Sequence, residues 1–317
     1  MSNQVLVVAI GGNSLIKDAQ HMSVPDQYQA LGETSGHIAA IIKDGWHVAI
    51  GHGNGPQVGF ILRRSELAAH ELHEVPLDVC GADTQGAIGY ELQQNLGHDF
   101  RRLGIDRQAV TVVTQVEVAG DDPAFDHPSK PVGSFMDEAT ATRRRDAEGW
   151  VVREDAGRGW RRVVASPRPL RIVELDAVRA LLRDDFVAIT IGGGGIPVVA
   201  DEHGDLRGVA AVIDKDLASA LLAIELRADA FMISTSVPQV ALDWGRPEQR
   251  WVDRMTVAEA KRYLAAGTHF APGSMQPKIE ACVWYLEHVE AGRAIITSPD
   301  RMEAALDGHA GTEIVPD

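Results

Sequence analysis

Apolar residues fall into two alternating patterns along this chain. Short apolar runs at residues 5–10, 46–50, 110–118, 186–191 and 231–234 predict strands, and the first, Val5-Leu6-Val7-Val8-Ala9-Ile10, is apolar at every position. Such a run reads as a strand buried on both faces, as in a parallel sheet covered by helices. Longer stretches with apolar residues at helical spacing predict helices. Pro25 and Asp26 open one that runs through Leu31, Ile38, Ile41 and Ile42 to Gly45, and others span 57–73, 77–96, 217–226, 257–265 and 276–289. Strands at 293–297 and 313–315 close the chain. Alternating strands and helices of this kind predict an α/β fold.

The alternation breaks between residues 120 and 165, where the chain is polar and turn-rich. Asp121-Asp122-Pro123 and Pro128-Ser129-Lys130-Pro131 lead to a basic helix through Arg143, Arg144 and Arg145, and short strands at 150–153 and 161–165 flank the hairpin signal Gly157-Arg158-Gly159. Because the α/β pattern resumes afterwards, the segment reads as an inserted subdomain. The plainer alternative is a surface insertion without a fold of its own.

Three of the predicted strands end in glycine-rich loops: Gly11-Gly12-Asn13-Ser14, Gly51-His52-Gly53-Asn54-Gly55-Pro56 and Gly192-Gly193-Gly194-Gly195. Ligands of open α/β sheets bind outside the carboxyl ends of the strands. Glycines let the backbone approach a ligand closely, and successive N–H groups can form a nest for an anion. One such loop could be no more than a tight turn. Three in one parallel sheet would gather at a shared edge and supply a ring of donors for phosphate oxygens. The absence of GxxxxGK[ST] and GxGxxG motifs argues against a standard P-loop or Rossmann nucleotide site.

Composition adds constraints on partners. With 317 residues, 45% apolar and 24% charged, the chain is an ordinary globular one, large enough for a substantial core. It has no uninterrupted apolar span of about 18 residues and no signal-peptide pattern, so a cytoplasmic protein without a membrane partner is expected. A net charge of -15 argues against a nucleic-acid partner and requires any anionic substrate to find a locally positive pocket. Cys80 and Cys282 form no CxxC pair, no Gly-x-Ser-x-Gly elbow occurs, and His70 and His73 lack a third metal ligand nearby in sequence.

Only six of the 30 basic residues are lysine, and Lys130, Lys215 and Lys278 are set among Gly, Pro, Ser or Asp. Lysine is a compact point charge on a flexible stem, suited to a moving phosphoryl group. Lys215 lies between Asp214 and Asp216 at a predicted helix start, with Asp216 as the expected N-cap. Either Lys215 neutralises a transferring phosphoryl group while an aspartate positions it or contacts Mg²⁺, or the aspartates cap the helix and the lysine is solvated. Lys278, after Gly273-Ser274-Met275-Gln276-Pro277, falls in a first helical turn, where a cation is unfavourable unless an anion offsets it. Lys130, held between Ser129 and Pro131, is either presented to a cleft or solvated.

Together, Gly11-Gly12-Asn13-Ser14, Gly51-His52-Gly53-Asn54-Gly55-Pro56-Gln57-Val58-Gly59, the four glycines from Gly192 with Ile196-Pro197, Ala211-Val212-Ile213-Asp214-Lys215-Asp216 and Gly273-Ser274-Met275 with Pro277-Lys278 resemble the carbamate kinases of the amino acid kinase family. The resemblance runs in order from Val5 to Val315. It implies an open three-layer α/β/α sandwich with a mainly parallel central sheet, a single domain over 1–317 whose residues 120–165 form a small protruding subdomain, and a homodimer. It also implies reversible phosphoryl transfer between ATP and carbamate with Mg²⁺, usually running towards ATP from carbamoyl phosphate and ADP.

By the same resemblance, Gly11, Gly12, Asn13, Gly53 and Asn54 would hold carbamate and the phosphoryl group, mainly through backbone N–H groups. Lys130, Lys215 and Lys278 resemble the catalytic lysines and Asp216 the aspartate that orients them, while Gly193, Gly194, Asp214, Ser274 and Met275 would bind the nucleotide. The resemblance assigns no residue here to the metal. Carbamate is already an anion, so the chemistry needs positioning and charge neutralisation and no general base. Acetylglutamate kinases resemble one another in a lysine just before the paired glycines, where this chain has Ala9-Ile10, so the cation must come from elsewhere and Lys130 is the candidate. The chain departs from the family pattern at Thr235-Ser236-Val237-Pro238-Gln239, where a more Gly/Asp-rich loop is expected, and at Ala241, where an aromatic is common. The alternatives are a kinase of the same fold acting on another small carboxylate or phosphate, and a non-catalytic sensor of carbamoyl phosphate or nucleotide.

Overall fold

Val5–Ile10 lies inside an eight-stranded sheet, paired in register with His47–His52 on one side and Ala230–Ser234 on the other, both parallel to it. The computed structural model describes residues 4–12, 15, 20–154, 159–271 and 273–317. Across the sheet the order is Arg254–Thr256, Thr312–Val315, Arg293–Thr297, Ala230–Ser234, Val5–Ile10, His47–His52, Val187–Ile189 and Ala109–Thr111. Only the pairing of Arg293–Thr297 with Thr312–Val315 is antiparallel. The fold is thus α/β with a mainly parallel central sheet.

Both faces of the sheet are covered. Leu6, Val8 and Ile10 join one apolar cluster with the helices Val24–Lys43 and Leu77–Leu103, whereas Val7 and Ala9 join another with Lys215–Leu226 and Met275–Leu286. All five side chains are fully buried, which is why this strand is apolar at every position and not at alternate ones. Each buried Leu, Ile or Val of this kind stabilises the fold by about 1.5–3 kcal/mol relative to exposure. No helix among the described residues is long and apolar enough to cross a membrane.

Element boundaries depart from the expected ones for local reasons. The first helix starts at Val24 because Ser23 and Asp26 form a capping box, with the Ser23 hydroxyl accepting the Asp26 N–H and the Asp26 carboxylate accepting the Ser23 N–H. The helix expected at 57–73 is Gly55–Ala68, beginning inside the second glycine loop, and the one expected at 77–96 continues to Leu103, where Gly104 ends it in a left-handed conformation. The single strand expected at 110–118 is two strands in different sheets. Ala109–Thr111 edges the main sheet, while Gln115–Val118 joins Pro169–Ile172, Ile196–Ala200 and Leu206–Gly208 in a second sheet. Thr114 breaks the run: its N–H and carbonyl both bond the side-chain amide of Gln85, and its hydroxyl donates to the Val112 carbonyl. The helix Leu175–Arg183 and the antiparallel pair Val240–Leu242 and Arg250–Val252 are further elements that the sequence patterns left unread.

Within residues 120–165, Lys130–Met136, Trp160–Val164 and Val152–Glu154 form a three-stranded antiparallel sheet beside the helix Glu138–Glu148, which Asp137 caps. Gly157 and Arg158 of the hairpin signal lie outside the described residues. Lys130 opens an edge strand and is not a loop residue, and Pro131 beside it is tolerated because an edge strand does not need every N–H.

Gly89, midway along Leu77–Leu103, faces strand Ala109–Thr111 so closely that a Cβ would lie 2.3 Å from Thr111 Cγ2 and 2.9 Å from its Cβ. In an open helix Gly→Ala stabilises by about 0.5–1 kcal/mol. Here the stiff, β-branched Thr111 reverses the sign, and Gly89→Ala is expected to destabilise by about 1–3 kcal/mol in urea unfolding. An unchanged or higher midpoint would show that the two elements can part without cost.

Candidate active site

Parallel register sets the carboxyl ends of neighbouring strands side by side, and the three glycine loops continue from those ends. The first two loops are stitched to the sheet: Gly11 N–H donates to the Ser234 carbonyl at 3.1 Å and Gly53 N–H to the Ile10 carbonyl at 3.0 Å. Those two amides are therefore occupied. The amides of Gly12 and Asn54 donate to no group among the described residues. The third loop interlocks with the second, since Gly193 has φ 68° and a Cβ on it would lie 2.1 Å from Asn54 Nδ2. Preceding it, Ile191 takes φ 47° and ψ 31°, a left-handed conformation that costs a β-branched residue on the order of 1–3 kcal/mol.

Between the loops, the start of strand Lys130–Met136 and the starts of helices Lys215–Leu226 and Met275–Leu286 lies a cleft of about 270 Å³. Gly12, Gly53, Asn54 and Gly193 form one wall, and Lys130, Asp214, Lys215, Asp216, Ser274 and Lys278 form the other. Gly11 and Gly194 are buried behind this surface, and Met275 packs against the apolar core. Asn13 lies outside the described residues.

The charged side of the cleft is built at two helix starts. Asp214, not Asp216, caps Lys215–Leu226: its Oδ1 accepts the Asp216 N–H at 2.9 Å, while its Oδ2 accepts from Lys130 Nζ at 2.8 Å. That leaves the Asp216 carboxylate, 3% exposed, to accept from Lys215 Nζ on one oxygen and from Lys278 Nζ on the other, the latter at 2.8 Å. Gly273, at φ 71°, turns the chain into Met275–Leu286 and so brings Lys278 to this carboxylate. Burial opposes the charge on Asp216, but the two ammonium groups and the hydrogen bonds they donate outweigh it and hold the carboxyl well below the usual carboxylate range. Burial also lowers Lys215 from the ordinary lysine value despite Asp216, with Lys278 adding to the effect. For Lys278 the attraction of Asp216 exceeds the cost of burial and raises the pKa.

Three buried polar residues beside the cleft escaped the sequence patterns. His52 is 1% exposed, with Nδ1 2.9 Å from the Gly53 carbonyl, and burial pulls its pKa down to about 4 although that bond works the other way. At neutral pH it is an uncharged imidazole whose Nδ1–H donates to Gly53. Thr84 and Gln85 interrupt the buried face that Cys80, Ile88 and Leu92 form on Leu77–Leu103. Two polar residues on an apolar helical stripe were the signal available for them.

Comparison with known proteins gives a consistent match. Residues 4–298 fit the amino acid kinase family model. The chain is 48% identical over 316 residues to the carbamate kinase-like protein YahI of Escherichia coli K12, covering 98% of this chain and 99% of that protein. It is 46% identical over 314 residues to the carbamate kinase of Thermococcus kodakarensis, covering 98% of each. Its fold is similar to that of the Giardia lamblia carbamate kinase bound to AMP-PNP, with TM-score 0.93, 38% identity and coverage of 100% of this chain and 99% of that one.

Asp216→Asn would take from two buried ammonium groups the carboxylate they share, a change expected to cost about 3–5 kcal/mol in denaturant unfolding. The folded pKa of Asp216 lies below the unfolded value of about 3.9, so its contribution is present at neutral pH and fades as the pH falls from about 4. The acid limb of the stability curve should therefore be shallower in the variant. A variant with the same midpoint and the same acid limb would show that the carboxylate does not hold the lysines.

Proposed function

The chain belongs to the amino acid kinase family, and from that premise we propose that its cleft transfers a phosphoryl group reversibly between ATP and carbamate, the reaction of a carbamate kinase. The observation that carries this reading is the convergence of three lysines and two aspartates with the glycine loops at the carboxyl edge of the sheet. In the direction that makes ATP, an oxygen of the ADP β-phosphate bonds to the phosphorus of carbamoyl phosphate. The bond from phosphorus to the carbamate oxygen breaks, and carbamate leaves as an anion. No proton must be removed from a nucleophile, so the protein's task is positioning and charge neutralisation.

We assign Lys215 and Lys278, fixed by Asp216, to the charge that develops on the transferring phosphoryl oxygens. The amides of Gly12 and Asn54 would hold the carbamate end, with Asn13 assigned to the same task by its place in the Gly11-Gly12-Asn13 motif alone. Gly11 and Gly53 would act by fixing those loops, their own amides being bonded to the sheet. Lys130 supplies the cation that Ala9-Ile10 does not. Gly193, Asp214 and Ser274 would meet the nucleotide, with Gly194 and Met275 one layer behind them.

Among the described residues no group of three or more His, Cys, Asp or Glu is set to hold a metal. Mg²⁺ carried on nucleotide phosphates needs only one or two protein carboxylates, and Asp214 on the cleft wall fits that part. Bound there with the nucleotide, the ion would screen the phosphate charges. We also infer a homodimer, for which sedimentation equilibrium should return twice the chain mass.

Purified protein with ADP, Mg²⁺ and carbamoyl phosphate is expected to form ATP. Lys215→Ala should lower kcat by about 10²-fold or more while circular dichroism stays native. Lys130→Ala should chiefly raise the KM for carbamoyl phosphate. Absence of ATP together with turnover of acetylglutamate or another acid would overturn the choice of substrate, and near-normal turnover by Lys215→Ala would overturn its role.

A further inference from the structure

The helix Leu77–Leu103 contributes no residue to the cleft wall, yet two adjacent side chains on it hold two of the glycine loops that do. Asn54 Nδ2 donates to Thr84 Oγ1 at 2.8 Å, and the Thr84 hydroxyl donates its own proton to the Gly81 carbonyl at 2.7 Å. With that proton committed, Thr84 can only accept from Asn54, which fixes the amide's orientation at the cleft wall. Gln85 acts on the third loop. Its Oε1 accepts the Thr114 N–H at 2.7 Å, and its Nε2 donates to the carbonyls of Thr114 and Gly192, each at 3.0 Å. Thr84 and Gln85 are each 1% exposed, so water does not readily replace either.

What they hold resists being held. Ile191, next to Gly192, sits in the left-handed region, and its N–H is tied to the Thr114 hydroxyl at 3.1 Å. Thr114, which Gln85 clamps on both sides of its peptide, is therefore also the anchor of the strained residue. The second and third loops interlock where Gly193 meets Asn54, so a shift of one displaces the other.

We propose that Thr84 and Gln85 are positioning residues of the phosphoryl-transfer site: a brace, outside the cleft, that keeps Asn54 and the 191–195 loop in reactive geometry against the strain at Ile191. The turnover part of this inference rests on the carbamate kinase reading; the mechanical part does not.

The test uses the full chain with Thr84→Val, Thr84→Ser, Gln85→Leu, Ile191→Gly and the double variant Gln85→Leu with Ile191→Gly, measuring kcat, KM and Tm. A misplacement of loop atoms on the ångström scale lowers turnover by about tenfold to a hundredfold. Thr84→Val should show such a loss in kcat with KM values within about threefold of the parent, and Thr84→Ser should recover most of it. Gln85→Leu should lose kcat and Tm together. Ile191→Gly, which adopts the left-handed conformation unaided but empties a buried site, should lower kcat and Tm less in the Gln85→Leu background than in the parent. Parental kcat in folded Thr84→Val, or equal losses from Ile191→Gly in both backgrounds, would overturn the proposal. If the parent itself makes no ATP, the functional reading fails and the brace is judged on Tm alone: coupling between Gln85→Leu and Ile191→Gly upholds it, and additivity overturns it. If Gln85→Leu does not fold, the Thr84 pair decides through kcat.

Discussion

One buried carboxylate shared by two lysines is the interaction on which the site depends. Neither ammonium group could be held in so dry a place alone, and a lone Asp216 would be equally costly there. Together they leave a single positive charge fixed between the first turns of two helices, Lys215–Leu226 and Met275–Leu286. The arrangement also explains an otherwise unfavourable choice. Lys278 stands where the helix dipole repels a cation, and Asp216 supplies the attraction that keeps it there. Because the two lysines come from different helices, the carboxylate sets the spacing of the helices as well as the charge.

Backbone geometry is the second constraint. Parallel strands in register end together, so loops that follow them meet without any long excursion of the chain. Meeting is not enough for a cradle, because amides already bonded to the sheet cannot also bind a ligand. Gly11 and Gly53 give up their N–H groups to neighbouring carbonyls, whereas Gly12 and Asn54, which line the cleft, keep amides without a partner among the described residues. Glycine is required at Gly193, where a positive φ and the side chain of Asn54 both exclude a Cβ, and more strictly still at Gly194, where φ is 95° and a Cβ would lie 2.4 Å from the backbone oxygen of Ile213.

Much of this was legible in the sequence, for identifiable reasons. A strand apolar at six consecutive positions reports burial on both faces directly, and glycine runs after such strands report the ligand edge. The three lysines stood out because arginine carries most of the other positive charge. What stayed hidden depends on contacts distant in sequence. Nothing local in residues 110–118 says that Gln85 will take the peptide of Thr114 and split the strand. Which of two aspartates caps a helix was likewise undecidable by spacing: Asp214 wins because Asp216 is drawn inward by Lys278, sixty-two positions later. Thr84 and Gln85 sit in an unremarkable helical pattern until their partners are known.

The cleft cations differ in how firmly they are held, and that difference bears on how an acidic protein handles anionic substrates. With a net charge of -15, attraction over distances beyond the screening length of about 8 Å does not favour an incoming phosphate, so the positive field must act at contact. Lys215 and Lys278 have side chains 15% and 13% exposed and share a carboxylate that is 4% exposed, so they are fixed charges. Lys130, on an edge strand and paired with Asp214, has a side chain 35% exposed and is the most solvent-accessible of the three. An incoming phosphate would therefore draw Lys130 from Asp214 more readily than it would displace either ammonium from Asp216, which would leave a buried charge unpaired. In the proposed reaction the more accessible lysine would serve capture and release. The fixed pair would serve the moment of transfer, when stabilisation that needs no rearrangement lowers the barrier most.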